Sequence, residues 1–524
     1  MNLVICADGT WNTPDMMDDG VPSPTNVYKF FNCVARTDKD DIKQERYYHQ
    51  GVGTEGSRLK RMIEGGTGKG LGKNIKSAYR WLAATYRPGD RIFLLGFSRG
   101  AYTVRSLGGM VSRCGLADLP WSNNPKHAWD AVDRIYDEYR WKETSAITAS
   151  ADLPFHNAAM GSLPTKTTPI HFIGVWDTVG SLGIPDDFAF LNLLDDVKRH
   201  GFHNTEISDI VRHARHAVAI DERRLSFVPT LWKPNPNVDM QQVWFPGVHA
   251  DVGGGYGRAG LSDGALLWMI EEARGAGLAF EPDAVAQIIP HAQDVLHDSV
   301  QGVFKKLKTR PRAVPLFDHA APTQDVHATA YHRQKVPPLA QGEYWRHRTL
   351  PDEVNIYARQ QWNATGIYLQ AGKTYDLTAS GEWMDAAIKC GPGGATDGKF
   401  HPAEALYVIG NAAGAVQGLL RKLSGNERST FPFAPRVPTA PWFALIGVIA
   451  NDYPPPPPKP QPNQKQKVQA LPHEVFVIGT AATVTPKASG YLFCFANDAW
   501  ERFENNRGTV RLKVVERQSP GGQG

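Results

Sequence analysis

The sequence predicts an α/β fold, a mostly parallel sheet with helices on both faces, followed by an all-β sandwich. Two observations carry the first part. Short, continuous apolar runs alternate with helix-length segments, the pattern of a parallel sheet buried on both faces. Polar and glycine-rich loops follow several of those runs, at the edge where open parallel sheets hold their ligands. A change of texture near Ala358 carries the second part, because short strand-like runs separated by turn residues follow it.

Taken in order, Leu3 to Ala7 reads as a buried strand that ends in Asp8-Gly9-Thr10-Trp11-Asn12. Thr25 to Val34 reads as a helix, and Tyr47 to Val52 as a strand. The segment from Gly65 to Gly72, with Lys69 and Lys73, has the composition of a phosphate loop. It lacks the G-x-x-x-x-G-K-[ST] order, so it reads as a loop leading into a helix from Asn74 to Tyr86. The turn Arg87-Pro88-Gly89-Asp90 opens the buried strand Ile92 to Leu95, and Ala101 to Met110 and Ala128 to Arg140 read as helices. Ala146 to Thr168 is polar and reads as a cap or insertion. Ile170 to Trp176 is a strand, Ile207 to Ala219 a helix carrying His213 and His216, and Val238 to Phe245 a strand. Leu261 to Ala276 is an amphipathic helix opened by Ser262 and Asp263. The domains expected from this reading are residues 1–350 and 358–517, the second interrupted by a proline-rich insertion at 454–469.

At 524 residues the chain exceeds a single core, and its 42% hydrophobic and 21% charged content is ordinary for a soluble protein. A net charge of +4, with lysine and arginine spread along the chain, is too weak to imply nucleic acid, and none is expected as a partner. Five cysteines with no C-x-x-C spacing argue against a disulfide framework or a zinc site and point to a reducing compartment. The N-terminus lacks the basic and apolar regions of a signal peptide, and no apolar stretch is long enough to span a membrane. Work outside the producing cell would therefore require export without a cleaved signal.

The chemistry centres on Gly96-Phe97-Ser98-Arg99-Gly100, between a buried strand and a helix, which is the context of a nucleophile elbow. A serine hydroxyl needs an imidazole to take its proton and a carboxylate to orient that imidazole. His249 and Asp177 supply them, each in a loop just past a strand, and Ser98, Asp177, His249 is the order of an α/β-hydrolase triad. Asp251 and Asp221 are rivals for the acid, with Asp221 more suited to pairing with nearby arginines. The oxyanion hole needs two N–H donors, expected from Arg99 and from Gly9 or Thr10 in the turn after the first strand. Asp8 would pin that turn or serve as a ligand to a metal or water. The Arg99 side chain suits an anionic ester or a salt bridge to a loop acid such as Asp8.

The motifs Asp8-Gly-Thr-Trp-Asn12, Gly96-Phe-Ser-Arg-Gly-Ala101, Gly174-Val-Trp-Asp-Thr-Val-Gly180 and Phe245-Pro-Gly-Val-His-Ala-Asp-Val-Gly-Gly-Gly-Tyr256 stand in this order. Over roughly residues 1–350 they resemble the α/β-hydrolase family that includes the first class of type VI secretion lipase effectors. The resemblance implies Ser98 as nucleophile, Asp177 as acid and His249 as base. It implies a phospholipase, with no catalytic cofactor, that attacks the membranes of rival bacteria. It further implies that the protein waits in the producer's cytoplasm, leaves without a cleaved signal and acts in the target's periplasm or at its membrane. A secretion-apparatus component and an immunity protein are the partners expected on that basis.

In the second domain, Ala496-Asn-Asp498-Ala-Trp-Glu-Arg-Phe-Glu-Asn505-Asn506-Arg-Gly508 resembles the calcium loop of PA-I-type galactophilic lectins. The resemblance implies a Ca²⁺ held by Asp498, Asn505, Asn506 and a carbonyl near Arg502, oxygen ligands that suit this cation. Trp500, Arg502 and Glu504 depart from the pattern and put a sugar ligand in question. The leading expectation is a phospholipase A with a targeting sandwich. The alternatives are an esterase on acylated carbohydrate and a non-catalytic glycan-binding protein.

Overall fold

The computed structural model describes residues 1–9, 12–51, 69–121, 125–140, 153–156, 168–179, 206–306, 308–385, 388–395, 436–453, 473–500 and 503–518. They divide into two compact units. The first is built from the described residues of Met1–Thr309 and Ala321–Gly342, the second from those of Arg310–Ala320, Glu343–Lys459 and Leu471–Gly524. The stretch Arg310–Ala320 leaves the first unit for the second before the chain returns, so no single cut separates them.

The first unit holds a six-stranded sheet. Its strands are β1 (Asn2–Ala7), β2 (Gln44–His49), β3 (Arg91–Phe97), β4 (Ile170–Trp176), β5 (Val211–Ala219) and β6 (Asp239–Phe245), in the order β2-β1-β3-β4-β5-β6. Every neighbouring pair is parallel. β1 is buried throughout, as its continuous apolar run requires. Helices α1 (Asn26–Cys33), α2 (Lys69–Thr85), α3 (Arg99–Cys114), α4 (Pro125–Arg140), α5 (His249–Gly253) and α6 (Gly260–Gly275) complete the layers used below. Alternate residues of the strands face two separate cores. Leu3, Ile5, Ile92 and Leu94 pack with α2, α3 and α4, while Val4, Cys6, Phe93 and Leu95 pack with α1 and α6. α1 is started by Thr25, whose side chain accepts the Tyr28 N–H.

One element differs in kind from the expectation. Ile207 to Ala219 is not a helix; Val211–Ala219 is β5, paired with β4 on one side and β6 on the other. Its polar residues find partners in the layers around the sheet. Arg215 donates to Glu272 of α6 at 2.5 Å and to Asp239 at 2.8 Å, and His216 Nε2 accepts the Thr178 N–H at 3.1 Å.

The second unit is a sandwich of antiparallel sheets. Its strands are β7 (Asp352–Tyr357), β8 (Asn363–Leu369), β9 (Tyr375–Asp385), β10 (Ile388–Cys390), β11 (Leu445–Ala450), β12 (Glu474–Val477), β13 (Ala481–Val484), β14 (Gly490–Ala496) and β15 (Asn506–Glu516). One sheet runs β8-β14-β11-β12; the other runs β10-β9-β15-β7, with β13 also paired to β9. Side chains from both sheets meet in one core around Trp383 and Phe443. One of the strand-like runs read from the sequence, Ala405 to Ile409, and the proline-rich insertion lie outside the described residues. All five cysteines are free, and all but Cys390 are buried. No described helix is long and apolar enough to cross a membrane.

Candidate active site

The carboxyl ends of the parallel strands gather the predicted residues along one sheet edge. Asp8 follows β1, Ser98 follows β3, Asp177 follows β4 and His249 follows β6. The chain reverses its direction of strand addition between β1 and β3, the position where such sheets open a crevice.

Ser98 sits between β3 and α3 with φ +56° and ψ −120°, in the positive-φ range that L-residues seldom occupy. The flanking glycines make this turn possible. A Cβ at Gly96 would lie 2.6 Å from the Gly100 backbone, and one at Gly100 would overlap the carbonyl oxygens of Ala7 and Asp8. The elbow therefore rests directly on the end of β1. Its register against β4 is set by the Ser98 N–H, which donates to Trp176 O at 3.1 Å.

The acid and base are joined. His249 Nδ1 lies 2.6 Å from Asp177 Oδ2 in a buried pair, and Asp177 Oδ1 accepts the Ala219 N–H at 3.0 Å. A carboxylate at Nδ1 keeps the proton there and leaves Nε2 as the basic nitrogen. Burial pulls the His249 pKa below the ordinary histidine value, opposed by the hydrogen bond and charge of Asp177, so the neutral imidazole prevails at neutral pH. Phe97, beside the nucleophile, packs its ring 4.6 Å from the His249 ring, and Phe227 presents an edge at 4.9 Å. Ser98 Oγ makes no hydrogen bond to His249 in this structure; such contacts tighten when substrate is bound.

Of the expected oxyanion donors, Arg99 is the first residue of α3. Burial lowers its guanidinium pKa to about 10. The Gly9 N–H donates to Asp8 Oδ1 at 2.7 Å in this structure. Thr10 lies outside the described residues. The Asp8 carboxylate is held by the hydroxyls of Thr25 at 2.6 Å and Tyr48 at 2.8 Å, so it fixes the turn next to Ser98 from within.

Both rival acids have other duties. Asp251 Oδ1 lies 2.6 Å from His297 Nδ1, and Asp221 Oδ2 accepts the Gly247 N–H at 2.7 Å. The acid paired with Arg224 is the neighbouring Glu222, at 2.7 Å, and Arg223 pairs with Asp298 at 3.3 Å. Glu222 was not singled out from the sequence, yet its buried carboxylate also accepts the His249 N–H at 3.2 Å. Only its place just past an apolar strand could have signalled it.

In the second unit, Asn506 Nδ2 donates to Asp498 Oδ2 at 2.9 Å and Asn505 Nδ2 donates to Asp385 Oδ1 at 2.6 Å. The buried Asn506 Oδ1 has no hydrogen-bond partner. Carboxylate and amide oxygens are the ligands Ca²⁺ takes, so the donor chemistry fits that ion. Among the described residues, no group of three or more His, Cys, Asp or Glu is placed to hold a metal. The carbonyl near Arg502 lies outside them.

Residues 1–272 match the family described as "T6SS, Phospholipase effector Tle1-like, catalytic domain". An uncharacterised protein of Saccharomyces cerevisiae, YEL023C, is 31% identical over 251 residues, 45% of this chain and 33% of that protein. Among solved structures, an uncharacterised protein from Pseudomonas aeruginosa is similar at 18% identity and TM-score 0.31, over 56% of this chain and 49% of that one. The Tle1 effector bound to the VgrG spike of the type VI secretion system is similar at 16% identity and TM-score 0.30, over 49% and 51%. A PllA-like lectin, the EclA N-terminal domain, is similar at 14% identity and TM-score 0.18, over 32% of this chain and 95% of that one. The chain thus spans a third of the yeast relative and about half of the two larger solved chains.

Proposed function

The chain belongs to the Tle1-like family of type VI secretion phospholipase effectors, and on that premise we propose that it is a phospholipase A working through Ser98, His249 and Asp177. The observation that carries this reading is the buried Asp177–His249 pair at the same sheet edge as a strained, elbow-borne Ser98. In the proposed reaction, Ser98 Oγ attacks the acyl carbonyl of a lipid ester while His249 Nε2 takes the hydroxyl proton. The resulting oxyanion accepts from the Arg99 N–H and a donor in the turn after Asp8. His249 returns the proton to the departing lysolipid oxygen. Water, activated by the same imidazole, then releases the fatty acid and restores Ser98.

Fatty acid and lysolipid released from defined phospholipids, with wild type and Ser98→Ala side by side, test the reading. Wild type should release both and Ser98→Ala neither. Equal release by the two proteins, or cleavage confined to acylated sugars, would overturn it, and the second outcome would favour the carbohydrate esterase. As an antibacterial effector the protein is proposed to leave its cytoplasm on a spike component of the secretion apparatus and to reach the periplasm of a target cell. Toxicity on periplasmic but not cytoplasmic expression, relieved by a cognate immunity protein, is the expected result.

For the second unit, the partnerless Asn506 Oδ1 beside Asp498 favours a bound Ca²⁺. The ion would replace the Asn506–Asp498 hydrogen bond with two oxygen ligands. Chelation should lower the thermal midpoint. No shift, together with no calcium by elemental analysis, would reject the site.

A further inference from the structure

The base is carried by three consecutive residues whose backbone N–H groups all end on carboxylates. Gly247 N donates to Asp221 Oδ2 at 2.7 Å, Val248 N to Asp251 Oδ2 at 3.0 Å, and His249 N to Glu222 Oε2 at 3.2 Å. This arrangement fixes where α5 begins, and α5 begins with His249. A five-residue helix has little cooperativity of its own, so its position depends on these outside contacts.

Two of the three carboxylates, Asp251 and Glu222, also accept hydrogen bonds from one short stretch of chain, Glu222 in addition to those from Arg224 and the Arg223 N–H. His297 reaches Asp251 twice, through its ring at 2.6 Å to Oδ1 and through its backbone N–H at 3.1 Å to Oδ2. Two residues on, the Ser299 hydroxyl donates to Glu222 Oε1 at 2.8 Å. The His297 ring also stacks on Tyr256, just beyond α5, with centroids 3.8 Å apart and planes 16° from parallel. Asp251, Glu222 and Ser299 are all buried, so each hydrogen bond operates away from competing water.

We propose that His297–Ser299 is a positioning clamp for the catalytic base. It acts on His249 through Asp251, which holds the Val248 N–H, and through Glu222, which holds the His249 N–H, and it fixes the imidazole's placement relative to Asp177 and Ser98. The clamp lies beyond residue 272, where the match to the family's catalytic domain ends. The proposal rests on the reading of His249 as the base that activates Ser98.

The test uses the full-length protein and two readouts, lipid hydrolysis and the rate at which a fluorophosphonate probe labels Ser98, located by mass spectrometry. His297→Ala and Ser299→Ala are expected to lower kcat about 10- to 100-fold with KM within about twofold, the size of effect that a small misplacement of a reacting group produces. Labelling of Ser98 should slow in proportion. His297→Asn retains a side-chain donor for Asp251 and should recover most of the rate. Thermal unfolding of each variant identifies loss of folded protein. Wild-type kcat and labelling rate in both alanine variants would overturn the clamp while leaving the triad reading intact. So would a loss of activity that merely follows loss of folded protein and is not recovered by His297→Asn. If wild-type Ser98 is not labelled and Ser98→Ala stays active, the triad reading falls and takes the clamp with it.

Discussion

His249 can accept a proton only while its imidazole is neutral, and its burial favours that form. Its pKa lies below the ordinary 6.5, so the acid limb of kcat/KM should have its midpoint below pH 6.5. A limb centred above 6.5 would mean that the attraction of Asp177 outweighs burial. Asp177→Asn should lower kcat by about 10⁴-fold, because an amide can donate toward Nδ1 and hold the wrong tautomer. Its thermal midpoint should move little, since the amide oxygen can still accept the Ala219 N–H. Activity within about tenfold of wild type would show that Asp177 does not orient the base. At this scale the sequence pointed to Ser98 and Asp177, which follow runs of apolar residues, and to His249, in the glycine-rich loop after β6. It was uninformative for Glu222, His297 and Ser299. Their roles arise from hydrogen bonds across 27, 46 and 77 residues of chain, and no local pattern encodes such a meeting. Nor does any local pattern foretell that the Gly9 N–H is taken up by the side chain immediately before it.

Between elements, the closest approach that matters is α3 against the end of β1. Gly100 meets the Ala7 and Asp8 carbonyls with no room for a methyl group, so Gly100→Ala should destabilise the first unit by about 3 kcal/mol or more. It should also move the elbow relative to the Asp8 turn, so activity should fall further than the loss of folded protein explains. A denaturant midpoint like that of wild type would contradict the packing described. Elements that bury one continuous apolar run were legible: Ile170–Trp176 was expected and found with the same limits. β5 was not, because Arg215 and His216 lie inside the sheet with partners on α6, β6 and the β4 loop, contacts that only the assembled layers supply. The first sandwich strand, Asp352–Tyr357, alternates buried and exposed residues over a short span. It fell between the two domain limits read from the sequence.

Over the whole molecule, each unit carries a histidine that burial keeps neutral. His327, stacked on Phe245 in the first, has its pKa lowered to about 4. His473, beside Arg310 in the second, has its pKa lowered to about 3 by burial and then by that charge. Below pH 6.5 the unfolded chain binds these protons more readily than the folded one. The stability the two sites contribute is thus complete above pH 6.5 and declines as pH falls toward about 4 and then about 3. Thermal midpoints at pH 7 should exceed those at pH 4.5, and an equal or higher midpoint at pH 4.5 would show that neither histidine is held neutral. The cysteines have a different bearing on the whole chain. None is paired, and burial raises the thiol pKa of Cys6, Cys33 and Cys494, with Cys390 lifted to about 11. Thiolate is the form that oxidants and disulfides attack, and these sites hold little of it. If the chain is exported as proposed, thiols held this way should leave its covalent structure unchanged between reducing and oxidising surroundings.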